Sequence, residues 1–207
     1  MKIGILALQG AFREHSAMVK RCKAEAVEVR LPFELETMDG LIMPGGESTA
    51  IAKLLIRYGF LSALMDFASS GRPVFGTCAG TILLAAKQNG QSACILPLID
   101  IDVSRNAYGR QRESREAQVK LSFSALPFDA IFIRAPVIES AGSGVEVLST
   151  FKKKIILARQ DNILVSTFHP ELTKDKRIHR YFLEMAEETG GTSVMIPPPA
   201  AEAAIVK

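Results

Sequence analysis

The feature that most limits how this chain can fold is a repeated alternation of short apolar runs with helical patterns. Apolar runs at 2–8, 27–31, 40–43 and 73–76 stop at glycine, proline or polar residues. Strands buried on both faces read as continuous apolar runs, and strands alternating with helices predict a parallel sheet covered on both sides. The spacing predicts helices over 12–22, 50–58 and 61–68, the last two divided by Gly59, and a fourth over 81–87. Further strands are expected at 95–103, 119–123, 130–133, 145–148, 154–158 and 163–167, and a final helix at 174–187. That helix has basic residues early and acidic ones late, against the preference of the helix dipole, so packing must hold it. Gly190-Gly191 ends it, and Pro197-Pro198-Pro199 opens a tail expected to be extended or disordered. The expectation is therefore an α/β fold: one open, mostly parallel, twisted sheet with helices on both faces. It forms a single domain over 1–190, with a tail at 191–207.

Composition removes several classes of function. With 207 residues, 48% of them hydrophobic and 23% charged, the chain can bury a core and is not intrinsically disordered. Its net charge of +3 (25 − 22) is scattered, and Lys152-Lys153-Lys154 reads as a solvated turn, so no nucleic-acid partner is expected. Three cysteines with no Cys-x-x-Cys pair give neither a disulfide framework nor a metal ribbon. No metal or cofactor is expected. The N-terminal apolar run is cut off by Gln9, Arg13 and Glu14, and no stretch reaches the roughly 18 apolar residues of a membrane helix. A soluble, cytoplasmic protein with free thiols is the expectation.

Three short segments can carry chemistry. Gly76-Thr77-Cys78-Ala79-Gly80 lies between an expected strand and an expected helix. In a Gly-x-nucleophile-x-Gly turn the glycines allow a sharp bend that holds the central residue up, and a helix N-terminus favours thiolate. Phe168-His169-Pro170-Glu171 follows the strand at 163–167. Pro170 favours extended geometry at His169, which would turn Glu171 to the same side as the imidazole. A carboxylate there would fix the imidazole's tautomer and stabilise its protonated form. Pro44-Gly45-Gly46-Glu47-Ser48-Thr49 also joins a strand to a helix. Its glycine pair can turn backbone N–H groups toward an oxyanion, while Ser48 or Thr49 could simply cap the helix. No Gly-Lys-Ser/Thr follows, so it is not a nucleotide-binding loop. Open parallel sheets bind ligands beyond the C-terminal ends of their strands, where all three segments are expected to meet.

These blocks resemble the class I, triad-type glutamine amidotransferases. Leu8-Gln9-Gly10 with Glu14-His15, Arg105-Asn106-Ala107-Tyr108-Gly109-Arg110-Gln111 and Phe132-Ile133-Arg134-Ala135-Pro136 extend the likeness. They make it closest to the branch of glutaminase subunits of two-component pyridoxal 5′-phosphate synthases. The resemblance implies a flavodoxin-like fold and hydrolysis of L-glutamine to glutamate and ammonia. Cys78 would be the nucleophile, His169 the base and Glu171 its orienter, with Gly46 and Ala79 forming the oxyanion hole. Gly46, Glu47, Ser48, Arg105, Ile133 and Arg134 would bind the substrate. It also implies a barrel-shaped synthase partner in an assembly of twelve copies of each subunit; Gln9 and Gly10, expected beside the active site in this topology, are candidates for the docking region. Docking would complete the oxyanion hole.

One departure stands out: after Gly109-Arg110-Gln111 the family usually continues Ser-Phe-Glu, whereas here Ser114 is followed by Arg115-Glu116. His15 and His179 read as surface or internally satisfied histidines, and Cys22 and Cys94 as core filling. Related cysteine elbows in chaperone and peptidase-like folds place His directly after Cys, where this chain has Ala79. Within the class, the alternative is a glutaminase serving a different synthase, such as those of histidine or purine synthesis.

Overall fold

The structure is a computed structural model and describes residues 1–92, 95–105 and 115–190. Cys94, the block 106–111, Ser114 and the tail at 191–207 lie outside the described residues. The chain opens with strand β1 (Lys2–Leu6), helix α1 (Phe12–Arg21), β2 (Glu25–Val29), a 3-10 turn (Pro32–Thr37) and β3 (Gly40–Met43). Helices α2 (Ser48–Arg57) and α3 (Phe60–Ser69), β4 (Val74–Thr77) and α4 (Ala79–Leu84) follow. Next come β5 (Ala85–Gln88), β6 (Gln91–Ser92), β7 (Ile99–Ser104), β8 (Arg115–Leu121) and β9 (Ser124–Phe132). The described chain closes with β10 (Val137–Ala141), β11 (Glu146–Phe151), β12 (Lys154–Gln160), β13 (Ile163–Ser166), a 3-10 turn (Pro170–Leu172) and α5 (Arg177–Gly190).

The main sheet runs in the order β2-β1-β3-β4-β13-β12-β10-β7-β5-β6, with β11 paired to β12. The five strands from β2 to β13 are mutually parallel. Antiparallel pairing begins at β12 and continues through β10 to β7. A separate hairpin joins β8 to β9. β4 and β13 lie side by side with Thr77 opposite Ser166, so the residues leaving them emerge at one edge of the sheet.

Alternation along each parallel strand feeds two cores. Leu6, Leu41, Met43, Ile163 and Val165 face α2 and α3, where Leu55, Phe60 and Phe67 complete one cluster. Ile3, Ile5, Ile42, Phe75 and Leu164 face the other side, packed with Val19 of α1 and Ile178 and Phe182 of α5. Burying one Phe of this kind contributes about 2–3 kcal/mol. The expected α/β sheet with helices on both faces is thus present, with its parallel half carrying the strand ends of interest.

Several boundaries differ from expectation. The helix expected at 81–87 ends at Leu84, because Ala85–Gln88 turns into a strand pairing with β7. The strand expected from 95 begins only at Ile99, and β10 was not anticipated. α5 starts at Arg177 rather than 174. Asp175 accepts from the backbone N–H of Arg177 at 2.9 Å, which supplies the cap that the helix's charge order lacks. Lys152 and Lys153 occupy the turn between β11 and β12, exposed as expected, both with positive φ (50° and 64°).

Candidate active site

β4 delivers Cys78 to the edge of the sheet, and α4 begins immediately after it. Cys78 itself has φ 48° and ψ −100°, an unfavourable conformation for a side-chain-bearing residue. The flanking glycines serve a different purpose from the sharp bend expected of them. A Cβ on Gly80 would come 2.2 Å from the Met43 carbonyl oxygen, and one on Gly76 would come 2.7 Å from Leu84. They let strand, helix and neighbouring strand approach closely, while Cys78 bears the strain. Such strain persists only where the surroundings enforce it, and it clusters at functional sites. Backbone and hydroxyl bonds do the enforcing: Cys78 N–H donates to Ser166 O at 2.7 Å, and the Thr81 hydroxyl to the same oxygen at 2.7 Å.

His169 follows β13 and is 7% exposed. Its Nδ1 lies 2.7 Å from Glu171 Oε1, as the sequence suggested, but by another route. The segment after His169 is a 3-10 turn rather than an extended run, and that turn brings Glu171 back onto the ring. The Cys78 thiol is directed at the Ile133 carbonyl at 3.9 Å, and His169 Nε2 has no well-aligned partner. Burial opposes a charge on His169, but the Cys78 sulfur and the Glu171 carboxylate beside it outweigh burial and push its pKa up to about 10. Burial would raise the pKa of Glu171; the facing His15 and His169 prevail and hold it below the usual carboxylate range.

The loop after β3 closes the third side. A Cβ on Gly45 would lie 2.5 Å from His169 Cε1 and 3.2 Å from Cys78 Cβ, so a glycine is required between the two side chains. Gly45 N–H donates to the Thr77 hydroxyl at 3.0 Å, and the Gly45 carbonyl accepts from Ala11 N–H at 2.9 Å. The α2 cap is Glu47, not Ser48 or Thr49: its carboxylate accepts from Thr49 N–H at 3.2 Å and Ala50 N–H at 2.7 Å. Those two bonds, Ala50's first, lower its pKa. Ser48 and Thr49 instead receive the guanidinium of Arg105.

A cleft of about 330 Å³ opens over these groups. It is lined by Gly46, Glu47, Ser48, Cys78, Ala79, Arg105, Ile133, Arg134 and His169, with Glu171 behind His169. All the site residues proposed from sequence therefore come together. Gly10, Ala11, Gly45, Ile82 and Pro136 complete the lining and were not among them. Gly10 is exposed and Gln9 half-buried at the rim, Gln9 Oε1 accepting from Glu47 N–H at 2.8 Å. Arg134 carries a second positive φ, 46°.

Sequence reasoning overlooked a polar layer beneath the cleft. His15 and His179 are not surface residues but wholly buried, and His15 lies 3.4 Å from Glu171 Oε2. Nothing local marks them, because their partners sit on distant strands and helices. Arg115, the departure noted above, is exposed at the start of β8 and stacks over Phe151 at 5.2 Å. Among the described residues no cluster of His, Cys, Asp and Glu could hold a metal ion, and no helix is long and apolar enough to cross a membrane.

A strained cysteine between strand and helix, faced by a histidine on a buried carboxylate, defines a class of α/β proteins built for acyl transfer through a thiol. Comparison with known proteins narrows the class. Residues 5–188 match the model of the SNO glutamine amidotransferase family, and the chain belongs to that family. It is 53% identical over 191 residues to the pyridoxal 5′-phosphate synthase subunit PdxT of Pelotomaculum thermopropionicum, covering 92% of this chain and 97% of that one. The PdxT of Geobacillus kaustophilus is 52% identical over 188 residues, covering 91% and 96%. Among solved structures, a glutamine amidotransferase superposes with a TM-score of 0.84 at 46% identity, over 89% of this chain and 98% of that one. PurLQS from Thermotoga maritima, at 14% identity and TM-score 0.69 over 88% and 97%, shares the fold.

Proposed function

We propose that this chain hydrolyses L-glutamine to L-glutamate and ammonia, and passes the ammonia to a synthase subunit that makes pyridoxal 5′-phosphate. That partner would combine it with a pentose phosphate and a triose phosphate. The observation that carries the reading is the 2.7 Å contact between His169 Nδ1 and Glu171 Oε1, with Cys78 on the adjoining elbow. Membership of the glutamine amidotransferase family supports the substrate.

In this mechanism His169 takes the Cys78 thiol proton as the sulfur attacks the carboxamide carbon of glutamine. The tetrahedral oxyanion is met by the N–H groups of Gly46 and Ala79. His169, carrying the proton from Cys78 and stabilised by Glu171, gives it to the leaving nitrogen, and the C–N bond breaks to leave a thioester and ammonia. The neutral imidazole then takes a proton from water, whose oxygen attacks the thioester; the C–S bond breaks and the thiol is restored. Gly46, Glu47, Ser48, Arg105, Ile133 and Arg134 hold the substrate, with an arginine suited to the α-carboxylate.

Residues 1–190 act as a single glutaminase domain, and the tail at 191–207 has no assigned role. The partner is a barrel-shaped synthase in an assembly of twelve copies of each subunit, in the reducing cytoplasm. The test is glutamate release by the wild type and Cys78→Ala, with and without that synthase subunit. Release by the wild type in the complex and none by Cys78→Ala is expected. No release by the wild type in the complex overturns the reading, and stimulation by a different synthase redirects it.

A further inference from the structure

The buried layer under the cleft contains ionisable groups that the mechanism above does not use. His15, on α1, and His179, on α5, are wholly buried, and they meet with His15 Nδ1 3.0 Å from His179 Nε2. The other nitrogen of His15, Nε2, lies 3.0 Å from the Thr77 hydroxyl and 3.4 Å from Glu171 Oε2. Oε2 is the oxygen that His169 leaves free, and no well-aligned hydrogen bond reaches it. Thr77 precedes Cys78, and its hydroxyl accepts the Gly45 N–H at 3.0 Å. One imidazole nitrogen therefore touches both the triad carboxylate and the residue that ties the oxyanion loop to the cysteine strand.

The protons on this layer can be assigned. Glu171 is held in its ionised form, so a bare nitrogen lone pair facing Oε2 would be repelled; His15 must present Nε2–H there. Burial lowers the pKa of His15 against the pull of Glu171, so the ring is neutral and its Nδ1 is an acceptor. His179 must then donate from Nε2–H, which leaves its Nδ1 without a partner, as observed. Burial first, and His15 second, bring its pKa down to about 3.

We propose that His15, seated by His179, is a positioning residue that uses its Nε2–H to hold Glu171 and Thr77 in register, aligning the triad carboxylate and the oxyanion loop together. It touches neither substrate nor sulfur. The proposal rests on the glutaminase reading, and assigns the Nε2–H tautomer to both buried rings. The charged and titratable groups facing the pair are Glu171, His169 and Glu14 around His15, with Arg21 near His179.

Two measurements test it. In glutaminase assays of the synthase complex, His15→Ala should lower kcat about ten- to hundredfold, with the KM for glutamine changed less than about twofold. Loss of the facing N–H raises the pKa of Glu171, so the acid limb of the pH profile should move to higher pH. His15→Gln, which can return an N–H near the Nε2 position, should recover most of kcat and restore the limb. An unchanged kcat and profile in His15→Ala overturns the proposal. So do equal losses in both variants that merely follow their melting temperatures. Nitrogen-15 spectra of the wild-type chain supply the second arm: neutral Nε2–H signals from His15 and His179 are expected, and an Nδ1–H signal from His15 overturns the assignment. A wild type without glutaminase activity in the complex would instead overturn the function, while the spectra still report on the pair.

Discussion

At the scale of single residues, the site depends on the absence of one side chain. Gly45 sits where a Cβ would press on His169 at 2.5 Å and on Cys78 at 3.2 Å. Both neighbours are backed by packed structure, so neither can retreat without losing its alignment. Gly45→Ala should cost at least about two orders of magnitude in kcat, since small misplacements of reacting groups are felt this strongly. Far-ultraviolet circular dichroism should remain native; near-normal turnover would show that the loop has room to yield. The His169–Glu171 pair gives a second outcome. His169 is raised from an ordinary value near 6.5 to about 10, so its contribution to stability is fully present below pH about 6.5 and is lost as pH rises toward 10. The Cys78 sulfur and the Glu171 carboxylate together hold the proton, and Glu171→Gln removes the second of them. The stability gap between wild type and Glu171→Gln, from urea unfolding, should narrow between pH 7 and 10. A constant gap would show that Glu171 does not hold the proton on His169.

At the scale of elements, what was legible in the sequence followed from how local its cause is. The parallel strands stood out because both of their faces are buried, and the elbow because its glycines lie two residues to either side of Cys78. The strand at Ala85–Gln88 was hidden: its residues extend a helical pattern, and pairing with β7 decides the outcome. β10 was hidden as well, because Glu139 and Ser140 interrupt its apolar character while their side chains are satisfied or exposed at the sheet's rim. His169 and Glu171 were legible as neighbours, whereas His15 and His179 meet only through tertiary packing of α1 against α5. The turn between β11 and β12 carries a testable imperfection. Lys152 and Lys153 both adopt positive φ, which costs side-chain-bearing residues and suits Asn-Gly in a two-residue hairpin. Replacing Lys152→Asn and Lys153→Gly together should stabilise the chain by about 1 kcal/mol without touching the cleft. A lowered melting temperature would mean that the lysines make stabilising contacts that outweigh the strain.

At the scale of the whole molecule, the question is how an event on the surface reaches the Gly45-Gly46 loop, the proposed oxyanion donor. Both sides of that loop are tied to the stretch leading into α1: the Gly45 carbonyl to Ala11 N–H, and Glu47 N–H to Gln9 Oε1. Gly10 between them has φ 101°, and a Cβ there would collide with the Gly45 oxygen at 1.9 Å. The peptide between Gly45 and Gly46 is trans, so holding its carbonyl toward Ala11 turns the Gly46 N–H to the opposite side. Whatever moves Gln9 or Ala11 therefore acts on the direction of the Gly46 N–H, the proposed oxyanion donor. Because Gly10 is exposed and Gln9 half-buried, a partner docking here could shift that balance directly. On the proposed function, stimulation by a partner docking here would be a coupling between two sites, typically about 5- to 150-fold, with Gln9 as one of its physical links. Gln9→Ala should reduce glutaminase activity in the complex by a larger factor than activity of the free chain, compressing the stimulation ratio. Equal factors in the two states would place Gln9 in the basal machinery and remove it from the path between the docking surface and the loop.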